Sequence, residues 1–168
     1  GCAVGTLHPL QAVLGQARDL NGAWMCLSGD ADAVVAAQQL VDLSGGHAFT
    51  LPTDDKATYH AAAVMAANFI TTLGAAGIDL LHDGLGLDED IARSVLNPLM
   101  AKTVEHLSNH RPLEALTGPF ARRDVSTVQA HVHAIRLRAP QWLDAYRTLA
   151  WATARAAQWS PTEIDQLK

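Results

Sequence analysis

The chain has 168 residues, 49% of them hydrophobic and 17% charged, which is enough apolar side chain to close a core and excludes a disordered segment. Twelve Lys and Arg against seventeen Asp and Glu leave a net charge of −5, a poor match to a phosphate backbone, so no nucleic-acid partner is expected. Apolar runs are broken by polar residues short of the roughly 20 needed to cross a bilayer, and no basic segment precedes a signal-like stretch, so a cytoplasmic chain without a membrane partner is expected.

Ala3 to Leu7 and Ala23 to Leu27 are short apolar runs between glycines and turn residues, the pattern of buried strands. Between Asp30 and Leu43, Val34, Val35, Leu40 and Leu43 fall at helical spacing. Ser28 or Asp30 can cap the start, and Gly45-Gly46 ends the helix. His47 to Leu51 resumes an extended run. Strand, helix, strand within this span is a βαβ unit, with parallel strands and a right-handed crossover. Two or three parallel strands need cover on both faces and neighbours at both edges. The remaining strands are therefore expected from a preceding segment or from another copy.

The texture changes near Pro52, which places a domain boundary between residues 1–52 and 53–168. Asp54 and Asp55 can cap a long alanine-rich helix reaching about Leu81. Its small side chains suit a central helix closely surrounded by others. Gly84-Leu-Gly86 breaks it. A second helix spans Asp88 to Leu107, interrupted or kinked at Asn97-Pro98. A loop with Pro112, Gly118 and Pro119 leads to helices over Val125 to Leu137 and Gln141 to Ala157, then a short tail from Pro161. Cys2 and Cys26 are the two cysteines, without a CxxC pair, and are expected as buried, reduced thiols. His106 and His110 stand four apart with no evident third ligand, so no metal site is expected. Trp142, Trp151 and Trp159 point to a core or a dimer seam.

Several polar residues stand where chemistry is expected. His8 ends the first strand, where ligands bind in open α/β sheets, and Pro9 fixes the exit of the chain; hydrogen bonding to the loop backbone is the alternative for His8. Lys56, His60 and Asn68 lie on the long helix, with Asn68 about 80° round from His60 if the helix is unbroken. Thr117, Gly118, Arg122 and Asp124 combine a guanidinium with amides near a glycine, an arrangement suited to a carboxylate. Asp124 also stands where it can cap the helix containing Thr127. His131 follows Thr127 by one turn, facing the same cleft or packing between helices.

Four stretches carry a resemblance: Gly5-Thr-Leu-His-Pro-Leu-Gln11; Tyr59-His-Ala-Ala-Ala-Val-Met-Ala-Ala-Asn68; Ala115-Leu-Thr-Gly-Pro-Phe120; and Arg122 to Asp124 with Thr127, Val128 and His131. Together they resemble the Rossmann-like plus domain-of-unknown-function-2520 family of NAD(P)-dependent oxidoreductases. The resemblance implies a mostly α fold, a helical domain of the 6-phosphogluconate dehydrogenase C-terminal type, preceded by the closing βαβ fragment of a Rossmann domain. It implies that the nucleotide-binding half of the family lies outside this chain. It further implies an NADP or NAD cofactor, a homodimer formed through the helical domain, and reduction of a small 2-oxo acid or imino acid, with ketopantoate as the nearest substrate type.

By the same resemblance His60 is the proton donor, with Lys56 as the alternative, and Asn68 holds the substrate oxygen. Thr117, Gly118, Arg122, Asp124 and His131 bind the substrate, while His8 and Pro9 lie near the cofactor. The family's Arg-Gly-Asp is here Arg122-Arg123-Asp124, so a left-handed backbone at position 123 would fall on arginine. No GxGxxG follows a strand, so this chain is expected to bind the cofactor weakly or not at all. A reading from another class is a non-catalytic helical dimerisation or small-acid-binding module.

Overall fold

Three strands, and the helices that cover them, form the first of two units in the computed structural model, which describes residues 1–12, 19–51 and 55–167. The units are Gly1–Ile70 and Thr71–Lys168. Pro52 and Asp54 lie outside the described residues.

In the first unit, β1 (Gly5–Pro9), β2 (Trp24–Gly29) and β3 (His47–Thr50) form one sheet in the order β1-β2-β3, with α1 (Ala31–Ser44) connecting β2 to β3. β2 and β3 are parallel, pairing Trp24 with His47 and Cys26 with Phe49, as a helical crossover requires. The first strand differs from expectation: β1 runs antiparallel to β2, with Thr6 opposite Ser28 and His8 opposite Cys26. Among the described residues between β1 and β2 there is no helix, and an antiparallel neighbour requires no helical crossover.

Alternation then sorts the side chains. Met25 and Leu27 face α1, where they close a core with Val41, flanked by Leu7, Val34 and Ala48. The opposite face carries Thr6, His8, Cys26, Ser28 and Phe49. α1 ends at Gly45, whose left-handed backbone (φ 69°) lets its amide reach Asp42 O and that of Gly46 reach Val41 O. Asp30 occupies the N-cap position of α1 but makes no side-chain cap bond. Its carboxylate accepts instead from the Val4 amide at 2.9 Å, tying β1 to the start of the helix. α2 (Lys56–Ala66) is capped by Asp55, which accepts from the Thr58 amide at 3.0 Å and its hydroxyl at 2.6 Å.

The expected long helix is two helices. α2 ends at Ala67 (φ −120°, ψ −66°), and α3 (Asn68–Leu85) begins at the next residue. α3 runs on past Leu81 and through Gly84 before ending beside Gly86. Neither helix is the surrounded central helix that the alanines suggest, because most of their side chains are exposed. By length and composition alone Lys56–Leu85 is apolar enough to cross a membrane, against the expectation from the broken apolar runs. Alanine raises its hydropathy without supplying bulk for a core.

In the second unit α3 meets α4 (Glu89–Asn109) through its glycines. A Cβ built on Gly74 would lie 3.1 Å from Met100 Cε, and one on Gly77 would lie 3.1 Å from Leu96 Cδ1. α4 is capped by Asp88 and continues through Pro98, so the expected interruption does not occur. Where a plain loop is expected, Gly118–Arg122 forms a short helix, α5. α6 (Val125–Arg138), a 3₁₀ turn at Pro140–Trp142, α7 (Leu143–Ala156) and α8 (Pro161–Asp165) complete the unit. Val128, Ala150, Ala154, Trp159 and Leu167 form its buried centre, against which Phe120, Tyr146 and Ile164 pack. The Trp159 indole donates to Phe120 O at 2.9 Å, and that of Trp142 donates to Asp79 Oδ2 at 2.8 Å. Trp151 lies outward with the Arg155 guanidinium 4.6 Å from its ring centroid.

Candidate functional site

The open face of the sheet in the first unit holds a pocket of about 370 Å³. Strand alternation delivers Thr6 and His8 from β1 and Cys26 and Ser28 from β2, while the first turns of α2 deliver Lys56, Tyr59 and His60. Tyr59 anchors the arrangement. Its ring meets Phe49 edge-on at 6.0 Å, and its hydroxyl shares a 2.7 Å hydrogen bond with His8 Nδ1. The His8 and His60 rings stand 6.1 Å apart, and the Thr6 and Ser28 hydroxyls are bonded at 2.7 Å. Burial foremost, with the Cys26 thiol beside it, pushes the Tyr59 hydroxyl above the ordinary tyrosine range. Burial likewise raises the Cys26 thiol, an effect partly offset by Lys56. Cys26 is buried and reduced as expected, whereas Cys2 is exposed.

Thus three of the sequence-predicted residues, His8, Lys56 and His60, share one pocket, with Pro9 next to His8 at the end of β1. Asn68 opens α3, beyond the break at Ala67, so the phase relation expected along an unbroken helix does not apply to it. Tyr59, Cys26, Ser28 and Thr6 carry no role in the sequence reading. Tyr59 was the one with a visible signal, through its position beside His60 at the start of a capped helix.

The remaining candidates lie in the second unit. Thr117 is the N-cap residue of α5 without a side-chain cap bond, Gly118 starts that helix at φ 71°, and Arg122 is exposed in its last turn. Arg123 itself adopts the left-handed backbone, at φ 55° and ψ 40°. Asp124 caps α6, accepting from the Thr127 hydroxyl at 2.7 Å, its amide at 3.0 Å and the Ser126 hydroxyl at 2.8 Å. These bonds, those of Thr127 foremost, lower its carboxyl to about 2. His131 shares a 2.8 Å hydrogen bond with the Tyr146 hydroxyl. Among the described residues no group of three His, Cys, Asp or Glu could hold a metal.

The family described as "Domain of unknown function (DUF2520)" matches residues 23–153. The chain belongs to the DUF2520 family. Two solved structures share the fold of this DUF2520 chain. One is BF3122 from Bacteroides fragilis, described as a candidate NADP oxidoreductase, with TM-score 0.74 and 19% identity over 92% of this chain and 58% of that one. The other is protein TM1727 from Thermotoga maritima, with TM-score 0.71 and 23% identity over 92% of this chain and 62% of that one. The DUF2520 chain therefore spans about three fifths of the length of the solved structures it matches. No curated protein matches it.

A dinucleotide's pyrophosphate is ordinarily held at a glycine-rich turn from strand to helix. The turn from β2 into α1 does not fit one. Gly29 (φ 135°) is pressed against the backbone of Gly5 and Val4, and Asp30 sets a carboxylate at the head of the helix. These residues leave no approach for phosphate and repel its charge.

Proposed function

We propose that this chain is the substrate-side part of an NAD(P)H-dependent reductase acting on a small 2-oxo acid or imino acid, with ketopantoate as the nearest substrate type. The supporting observation is the grouping of His8, Lys56 and His60, together with Tyr59, around one pocket. Membership of the family and the fold shared with the Bacteroides fragilis protein supply the redox context. Since the β2–α1 turn does not fit a pyrophosphate, the cofactor, NADP or NAD, would be held by residues of a longer protein.

In this reading His60 supplies the proton that a carbonyl or imine oxygen or nitrogen needs as negative charge develops on it, with Lys56 as the alternative donor. Imidazole suits that task because it exchanges protons near neutrality. Asn68 holds the substrate oxygen, His8 and Pro9 lie toward the cofactor, and Thr117, Gly118, Arg122, Asp124 and His131 contribute to substrate binding. The cytoplasm, where reduced nicotinamide is plentiful, is the proposed location.

A second copy of the chain, rather than lipid, is the proposed cover for the exposed apolar side of the helical unit. Lys56–Leu85 carries His60, Asn68, Asp79 and Asp83, which are costly in hydrocarbon. α4 exposes Ile91, Val95 and Leu99 on one stripe. It begins with Asp88, Glu89 and Asp90 and finishes near Lys102, His106 and His110. Two such helices antiparallel about a two-fold axis would cover the stripe of each with that of the other.

The test is turnover by the longer protein with NADPH and a panel of 2-oxo acids and cyclic imines. His60→Ala is expected to lower kcat by about 100-fold, and Arg122→Ala to raise KM by about tenfold. Absence of NADPH oxidation with every acid and imine would overturn the reading. Unchanged turnover in both variants would overturn the residue assignments.

A further inference from the structure

We propose that the pocket on the open face of the sheet is, by itself, a binding site for a small carboxylate with a short apolar remainder, in which Lys56 and His8 take the carboxylate, Tyr59 positions His8 and His60 is left for the neighbouring keto oxygen. The inference deepens the reductase reading, on which it rests for the choice of a 2-oxo acid as ligand. It adds Lys56 and His8 of the first unit to the carboxylate contacts, for which the sequence names only Arg122.

Charge is the first argument. The chain is acidic overall, at −5, yet the pocket gathers one lysine and two histidines, and among the described residues its lining includes no Asp or Glu. Two described acids nearby are engaged elsewhere: Asp55 accepts from Thr58 at the start of α2, and Asp30 accepts from the Val4 amide. A concave surface that carries a lysine ammonium, with no counter-charge among its described residues, is matched by an anionic ligand.

Hydrogen-bond supply is the second. Among the described residues no hydrogen bond or ion pair occupies Lys56 or His60. His8 spends Nδ1 on Tyr59, which leaves Nε2 for a ligand. A tyrosine hydroxyl carries its proton near neutrality, so that of Tyr59 can donate to Nδ1 and favour the tautomer with a proton on Nε2, the form that donates to a carboxylate. The His60 ring, 6.1 Å from that of His8, is left to face the keto oxygen beside the carboxylate.

Size and lining are the third. A pocket of about 370 Å³ stands at the small end of ligand cavities, about 300–1,000 Å³. Leu51, the Tyr59 ring and the buried Cys26 thiol give it an apolar side, which suits an alkyl group and contributes nothing to a bare phosphate.

Calorimetric titration of the 168-residue chain with 3-methyl-2-oxobutanoate, its neutral amide and inorganic phosphate tests the assignment without any coenzyme. The acid is expected to saturate the chain in the millimolar range, at least about fivefold more tightly than either comparator. Lys56→Met is expected to weaken the acid about fivefold or more, while Lys102→Met, which removes an exposed lysine paired with Glu105, leaves binding within about twofold. Tyr59→Phe is expected to weaken it about threefold and to move the His8 ring-nitrogen NMR shifts toward a tautomer mixture. No saturation, equal binding of amide or phosphate, or equal losses in the two lysine variants would overturn the proposal. Acid binding without turnover in the longer protein would sink the reductase reading and leave this site standing. Turnover whose KM is indifferent to Lys56→Met would sink the site alone.

Discussion

Arg123 holds a backbone conformation that an arginine adopts at a cost. At φ 55° and ψ 40° it ends α5 in the left-handed region, where a Cβ crowds the neighbouring carbonyl by roughly 1–2 kcal/mol. The resemblance described above implies glycine at this position; with arginine in its place the turn into α6 is still left-handed, and Asp124 caps the next helix. Arg123→Gly is therefore expected to stabilise the chain by up to about 1 kcal/mol, glycine's greater freedom in the unfolded chain offsetting part of the relief. Arg123→Val, with its branched Cβ, is expected to cost about 1 kcal/mol or more, and Arg123→Ala to change little. Midpoints of urea unfolding for the three variants check the ranking. Equal midpoints for the glycine and valine variants would refute the strain.

Helix α6 shows how a single carboxylate couples an element to pH. Asp124 accepts three hydrogen bonds at its start, and its carboxyl lies at about 2 against an ordinary 3.8. A group lowered on folding stabilises the fold above its unfolded value and loses that contribution as pH falls toward the folded one. Asp124→Ala is expected to lower Tm by roughly 2–4 °C at pH 7. The gap to the unmodified chain should close progressively between about pH 4 and pH 2. Thermal scans across that window measure it, and a gap independent of pH would show that the cap acts without its charge.

Elements also show what the sequence discloses and what it conceals. α1 is legible because its ends carry chemistry, Asp30 before it and Gly45-Gly46 after it. The direction of β1 is not legible, since an apolar run reads the same whichever way its neighbour points. The break at Ala67 is hidden as well, because Ala66 and Ala67 are both at ease in a helix and record no boundary. In the pocket, His8 and His60 attract attention as isolated polar groups, but their meeting depends on Tyr59, 51 residues from His8. An aromatic residue at a helix start ordinarily reads as packing.

At the scale of the whole molecule, the exposed stripe on α4 is the feature that association would hide. Val95 and Leu99 are 57% and 65% exposed, more than residues of their kind retain in a finished core. The chain is expected to sediment as a dimer at micromolar concentration, and Val95→Asp with Leu99→Asp as a monomer with its secondary structure intact. Sedimentation velocity and circular dichroism together test this. A double variant that still sediments as a dimer would move the contact off α4.

The arrangement of the three strands has a colloidal consequence. With β2 in the middle, β1 and β3 each present one flank to which no described strand is paired. Such rims accept any extended peptide that drifts alongside, so crowding favours stacking of one molecule's strand on another's. Mutual repulsion from five excess negative charges opposes that stacking, and the protection fades near the isoelectric point or in strong brine.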